Sequence, residues 1–167
     1  MSSTWRWRPM VKADLDGVVD VARTAFPDHF EDRACFAERL ELYPQGCFVL
    51  ERDARKIAGY LIIYPWLASS APPLNILIGS LPASPQLLYL HDLAIHPSAR
   101  GLGLTNSIIH QIAEQAKGEG WEKIALVAVN EAAAFWGKQG FVVSDDPAMA
   151  EKLASYGDDA RYMMRQL

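Results

Sequence analysis

Leu87-Leu-Tyr-Leu-His-Asp-Leu-Ala-Ile95-His-Pro-Ser-Ala-Arg100-Gly-Leu-Gly-Leu-Thr105 decides the fold. Its first nine residues are apolar at both odd and even positions, as a central strand covered on both faces is. A glycine-rich turn, Arg100 to Gly103, then opens a helix whose inward residues are Leu104, Ile108, Ile109, Ile112 and Ala116. Gly118 and Gly120 end that helix, and Lys123 to Val129 is a second two-faced apolar run. Strand, helix and strand in this order make a βαβ crossover between Leu87 and Val129.

The flanking sequence supplies the rest of one layered domain. Thr4 to Met10 alternates weakly and predicts a short edge strand. Asp14 is placed to cap a helix with Leu15, Val18, Val19, Ala22 and Phe26 on its apolar face, ended by Pro27. Asp28 and Glu31 have capping-box spacing for a second helix, Phe30 to about Tyr43, with Phe36, Leu40 and Tyr43 inward. Cys47 to Arg52 and Ile57 to Tyr64 predict a hairpin. Pro65 to Gln86 is a long proline-rich loop, expected to pack through Leu74, Ile76, Leu77 and Ile78. Asn130 is placed to cap a helix that Gly140 closes, and Phe141 to Val143 with Arg161 to Arg165 predict a last strand pair around a loop containing Pro147. The expected class is a mixed α/β (α+β) single domain spanning residues 1–167.

Composition narrows the function. Half of the 167 residues are apolar and 22% are charged, the balance of a soluble globular chain. Sixteen Lys and Arg against twenty Asp and Glu leave a net charge of −4, which argues against nucleic acid as a partner. Met1 to Asp16 holds no seven-residue apolar run, and Tyr60 to Ala68, broken by Pro65, is too short to span a bilayer. Cys35 and Cys47 form neither a disulfide framework nor a metal-ligand spacing. A reduced, cytoplasmic setting is expected, without membrane association or metal.

Amides at a helix start lack intrahelical partners and converge on one spot, where the helix dipole adds positive potential. Glycines let an anion approach the backbone, and Arg100 adds a charged fork suited to phosphate oxygens. Arg100 to Thr105 therefore reads as a phosphate or pyrophosphate site. A P-loop string is absent, and Asn106 stands where a dinucleotide fingerprint needs its third glycine. A turn with glycines for geometry alone remains the competing reading.

The run from Leu88 to Thr105 resembles the core motif of the GNAT superfamily of N-acetyltransferases, a strand ending in L-A-[VI]-x-P followed by [QR]-x-x-G-x-[GA]. Arg100 and Gly103 match, while Thr105 departs from the usual small last residue. Asn130-x-x-Ala-x-Phe-Trp-x-x-x-Gly-Phe141 is similar to the superfamily's second signature. The resemblance implies a central mixed sheet of about six to seven strands flanked by about four helices. It implies acetyl-CoA as acyl donor, with pyrophosphate on the amides of Gly101, Leu102, Gly103, Leu104 and Thr105 beside Arg100. The pantetheine arm would pair with the backbone of Leu93, Ala94 and Ile95, with Asn130, Phe135 and Trp136 on its other side.

Acetyl transfer to an amine requires a base, because an ammonium of pKa about 10.4 carries no lone pair. His91 fits, since imidazole titrates near neutrality and the residue shares a strand face with Tyr89 and Leu93. The segment from Tyr89 to His96 also resembles the H-x-H-x-L-A-V-H strand of arylalkylamine N-acetyltransferases, with Tyr89 replacing the first histidine. A packed core histidine is the plainer alternative. Trp136 stands where many superfamily members carry a phenol that protonates the leaving thiolate, and indole cannot do so; Tyr89 and Tyr162 are the substitutes. Asp92 could orient the substrate ammonium or pair within the core. Phe26, Phe30, Tyr64 and Trp66 would line an acceptor pocket for a small primary amine with an apolar or aromatic part. Peptide or protein N-acetylation and a noncatalytic acyl-CoA-binding module stay open, as does monomer against homodimer.

Overall fold

The computed structural model describes residues 4–29, 31–53 and 56–167. Its strands are β1 (Trp5–Pro9), β2 (Cys47–Arg52), β3 (Lys56–Trp66), β4 (Leu87–Ile95), β5 (Lys123–Ala128), β6 (Val142–Val143) and β7 (Arg161–Gln166). Its α-helices are α1 (Leu15–Ala25), α2 (Arg33–Leu42), α3 (Leu104–Gly118), α4 (Ala133–Lys138) and α5 (Ala150–Tyr156). The seven strands follow the order β1-β2-β3-β4-β5-β7-β6, so β1 is an edge strand as its weak alternation predicts. β4 and β5 pair parallel, whereas β1–β2, β2–β3, β5–β7 and β6–β7 pair antiparallel, which makes the sheet mixed.

The chain forms two compact units. One runs up to Tyr64 and adds Pro73–Ser80 and Asp92–Thr105. Its core takes Leu15, Val18, Val19 and Ala22 from α1, Phe36 from α2, and Val49, Leu50, Leu61 and Ile62 from the hairpin. Phe36 meets Tyr60 edge to face at 5.6 Å. The other unit comprises Pro65–Pro72, Leu81–His91 and Asn106–Leu167. There β4 contributes Leu87, Leu88, Tyr89 and Leu90, α3 contributes Ile108, Ile109 and Ile112, and β5 contributes Ile124 to Leu126. Burial of four successive β4 side chains matches a strand covered on both faces.

Two expected capping interactions are replaced, each because the polar side chain has a better partner. Asp14 stands in the cap position of α1 as expected, but its side chain makes no capping bond: its carboxylate takes two bonds from the Arg8 guanidinium, each 2.8 Å, and the Val11 N–H at 2.8 Å. A 3₁₀ turn, Lys12–Asp14, therefore precedes the helix. α2 starts at Arg33 and not at Phe30, which lies outside the described residues, because Glu31 accepts the Asn75 N–H at 3.1 Å instead of closing a capping box. Phe26 and Leu40 are half-buried. Asp53 takes a left-handed φ of +45° at the hairpin, whose Ala54 and Arg55 lie outside the described residues.

Two further differences concern loops. β3 continues to Trp66, and the segment after it does not pack through all four expected residues: Ile76 and Leu77 are exposed. Hydrogen bonds hold it instead. Glu38 on α2 accepts the N–H groups of Ile78 and Gly79 at 2.7 and 2.9 Å, and Arg39 donates to the Ile76 carbonyl at 3.2 Å. In the other unit, the loop around Pro147 contains α5, which Met149 and Tyr156 anchor as buried residues.

Burial by itself raises the Asp14 carboxyl, but the Arg8 bonds, the Val11 N–H and the Arg8 charge outweigh it and hold the group below its ordinary value. The contribution is therefore present above the unfolded value, about 3.9, and is lost as pH falls through the lower folded value. Asp14→Ala should cost about 2–3 kcal/mol at neutral pH by leaving Arg8 short of a partner. Thermal unfolding of both proteins across pH 2 to 7 checks this, and the gap between them should close on the acid side.

Candidate active site

The turn after β4 is fixed at both ends. On its entry side the His96 N–H donates to the Ala58 carbonyl at 2.7 Å, and His96 Nδ1 accepts the Ser98 N–H at 3.1 Å. Gly59 permits this close approach, because a Cβ there would stand 2.9 Å from the Ala94 carbonyl oxygen. Ala99, which is fully buried, packs with Leu50 and Ala58, and Trp5, Trp7, Ile95 and Leu104 close around that cluster. On its exit side the Trp7 indole N–H donates to the Leu104 carbonyl at 2.8 Å.

Between these anchors the chain stands in the open. Gly101 and Gly103 adopt φ of +78° and +74°, a conformation that costs an L side chain about 1–2 kcal/mol. A Cβ at either would meet nothing within 4 Å, so glycine is needed for backbone hand and leaves clear space above the amides. Arg100 and Leu102 are exposed, and α3 begins at Leu104, so the first-turn amides of Thr105 and Asn106 have no acceptor within the helix. A charged fork, two left-handed glycines and a helix start thus follow one another along one exposed stretch of backbone. That arrangement suits a pyrophosphate.

On β4, the Leu93, Ala94 and Ile95 backbone lies between this turn and Asp92. Asp92 is half-buried and accepts a 3.0 Å bond from the Tyr60 hydroxyl. Burial first, and then the Asp92 carboxylate, push the Tyr60 phenol well above its ordinary value, so Tyr60 stays a donor. Glu31, which is buried, brings a carboxylate oxygen within 4.8 Å of one from Asp92. Neither Tyr60 nor Glu31 was marked by the sequence: Glu31 fits capping-box spacing, and a tyrosine inside an apolar strand run carries no polar flag. Trp7 was equally silent, as one of two tryptophans on an edge strand.

Tyr89 and His91 belong to the other unit, with ring centroids 6.1 Å apart; Tyr89 is buried and His91 half-buried. The β4–β5 ladder pairs Leu88 with Ile124 and Tyr89 with Ala125, whereas β5 continues to pair with β7 as far as Ala128. Tyr162 is buried on β7, where its oxygen accepts the Ser69 N–H at 3.1 Å. Burial chiefly, with the Asp146 charge, raises its phenol against the opposing pull of that N–H.

Trp136 packs edge to face on Phe135 at 5.0 Å and on Phe141 at 5.3 Å, while Phe135 stays partly exposed. Asn130 is not the cap of α4. It and Glu131 both take left-handed φ, +53° and +63°, and delay the helix until Ala133 with Ala132 in the cap position. Of the expected acceptor residues, Tyr64 is buried beneath the Arg39 guanidinium, 6.0 Å from its ring, and Phe26 and Trp66 are half-buried.

Gly103→Ala should lower stability by about 1–2 kcal/mol through backbone conformation alone, since the added methyl group has room. Leu102→Ala, at a side chain that is 56% exposed, should stay within about 0.5 kcal/mol. Urea unfolding of the two variants beside the wild type makes the comparison.

A family model described as the acetyltransferase (GNAT) family matches residues 13–141. No curated protein matches the chain. Among solved structures it is similar to Ard1 from Thermoplasma volcanium, at 14% identity over 98% of this chain and 97% of that one, with a TM-score of 0.72. It is similar to a chain of the NatC complex bound to Gag peptide and CoA, at 16% identity, 98% coverage of each chain and a TM-score of 0.70. A third is the PaiA N-acetyltransferase from Thermoplasma acidophilum in complex with coenzyme A, at 11% identity, 98% and 99% coverage and a TM-score of 0.69. At these identities the structures speak for the fold alone, and the family model, matching most of the chain, carries the assignment: the chain belongs to the acetyltransferase (GNAT) family and is an acetyl-CoA-dependent N-acetyltransferase.

Proposed function

We propose that this enzyme, as one domain, moves the acetyl group of acetyl-CoA to a small primary amine carrying an apolar or aromatic part. The observation that carries the donor half is the open run of amides from Gly101 to Thr105, with both glycines left-handed and Arg100 beside them. These residues take the pyrophosphate, and Leu93, Ala94 and Ile95 take the pantetheine arm as a neighbouring strand would. For the acceptor half, the close carboxylates of Asp92 and Glu31 give an ammonium a negative site beside that backbone. Phe26 and Trp66, both half-buried, are the proposed apolar contacts.

His91 takes the proton that the bound ammonium must lose. The freed amine nitrogen then attacks the thioester carbonyl carbon, and an N–H near Leu93 steadies the oxygen as it gains charge. Collapse breaks the C–S bond and, as the nitrogen passes its second proton to the departing sulfur or to solvent, leaves the neutral amide, with CoA released as a thiol or thiolate. Tyr89 and Tyr162 are the phenols proposed to supply a proton there.

Release of free CoA thiol is followed with arylalkylamines, polyamines, amino acids, aminoglycosides and short peptides. Turnover should be greatest with arylalkylamines; turnover confined to peptides would replace the small-amine reading with peptide N-acetylation. Arg100→Ala should raise the KM for acetyl-CoA about fivefold or more with kcat nearly unchanged. His91→Ala should lower kcat by about 10²-fold and remove the acid limb of its pH profile. Asp92→Asn should act mainly on the KM of the amine.

A further inference from the structure

We propose that Trp7 is a positioning residue for the acetyl-CoA pyrophosphate, holding through one hydrogen bond the peptide unit that presents the Thr105 amide. The inference rests on the assignment of the Arg100–Thr105 turn to the pyrophosphate, and adds a residue 97 positions away in sequence from the atom that it holds.

The Trp7 Nε1–H donates to the Leu104 carbonyl oxygen at 2.8 Å. That carbonyl and the Thr105 N–H belong to the same planar peptide unit and point in opposite directions. Fixing one therefore aims the other. Thr105 is the second residue of α3, so its amide is among the first-turn donors that the helix leaves without a partner. A donor bonded to the carbonyl also polarises the peptide unit and strengthens its N–H as a donor.

The surroundings make the bond an anchor. Trp7 is partly buried against Leu50, Ala58 and Ala99, together with Ile95 and Leu104. Ala99 immediately precedes Arg100, so one cluster grips the chain on both sides of the exposed glycines. The indole itself is held by β1, which pairs along its length with β2: Trp7 stands opposite Leu50 in that register. Trp5 packs on the same cluster, yet its ring carries the Arg52 guanidinium at 5.1 Å, and among the described residues its indole makes no hydrogen bond to the turn. Trp5 and Trp7 thus share packing and differ in the hydrogen bond.

The test compares wild type, Trp7→Phe, Trp5→Phe and a protein with β-(3-benzothienyl)alanine at position 7, which keeps the bicyclic shape and lacks the N–H. The Kd for CoA is measured by calorimetry, and kcat and KM are measured with acetyl-CoA and with S-acetylpantetheine, which has no pyrophosphate. Both position-7 proteins should bind CoA about three- to tenfold more weakly and raise the KM for acetyl-CoA to match. Their kcat, the KM for the amine and turnover of S-acetylpantetheine should stay at wild-type values, as should CoA binding by Trp5→Phe. Unchanged CoA affinity in the benzothienyl protein, or an equal loss in Trp5→Phe or with S-acetylpantetheine, overturns the proposal alone. A wild type that binds S-acetylpantetheine as well as it binds acetyl-CoA overturns the pyrophosphate assignment and the proposal with it.

Discussion

Backbone amides bind an anion only when their peptide planes are already fixed, because a free turn would lose on ordering most of what the bonds supply. The turn proposed for the pyrophosphate meets that constraint within one unit of the protein. The exposed residues Arg100 to Gly103 have no core of their own, and their rigidity is borrowed from β1, β2 and β3 through Ala99 and Leu104. The His96 N–H on the Ala58 carbonyl sets where the turn begins. Gly59 is what lets β3 and β4 come close enough for that geometry. An edge strand and a hairpin far from the turn in sequence thereby become part of what holds it.

The same economy governs the residues near Asp92. Glu31 could have capped a helix; instead it takes the Asn75 N–H, and Asn75 Oδ1 takes the Asp32 N–H at 2.7 Å. With Glu38 on Ile78 and Gly79, these bonds tie Pro73–Ser80 to α2 in the place of apolar packing. That explains how Ile76 and Leu77 can stay exposed on an ordered segment. The arrangement also stations the Glu31 carboxylate within 4.8 Å of an Asp92 oxygen, where Tyr60 donates. Two carboxylates so close repel each other unless donors or a cation stand by; Tyr60 and the Asn75 N–H are such donors, and the proposed ammonium would add a cation.

The central architecture was legible because its signals are local. Apolar residues on both faces of Leu87–Ile95, and helical spacing after Gly103, follow from periodicity, and the glycines mark the turn by backbone hand. The capping bonds were less legible than the helices, since Asp14, Glu31 and Asn130 are all good capping residues in isolation. Arg8 and Asn75 decided two of those cases from other elements, and left-handed Asn130 and Glu131 decided the third. The Trp7–Leu104 bond and the Tyr60–Asp92 bond span 97 and 32 positions, so no local pattern announces them. The loop around Pro147 hid α5 because its seven residues are too few for a clear period.

The residue at 136 bears on how the chemistry is divided. Trp136 is buried against Phe135 and Phe141 and offers no phenol. Tyr162 keeps its proton, but burial has raised its pKa above the ordinary phenol value, which makes it a poorer acid. Proton transfer from such a phenol to a thiolate whose conjugate acid lies near 8.5 runs uphill by more than about one unit. A thiolate of that basicity departs tolerably at neutral pH without a proton. The amine has no such latitude, since an ammonium near 10.4 must be deprotonated before it can attack at all. The energetic demand on this site therefore falls on the base and on the charge that orients the ammonium, and both proposed groups, His91 and Asp92, stand side by side on β4.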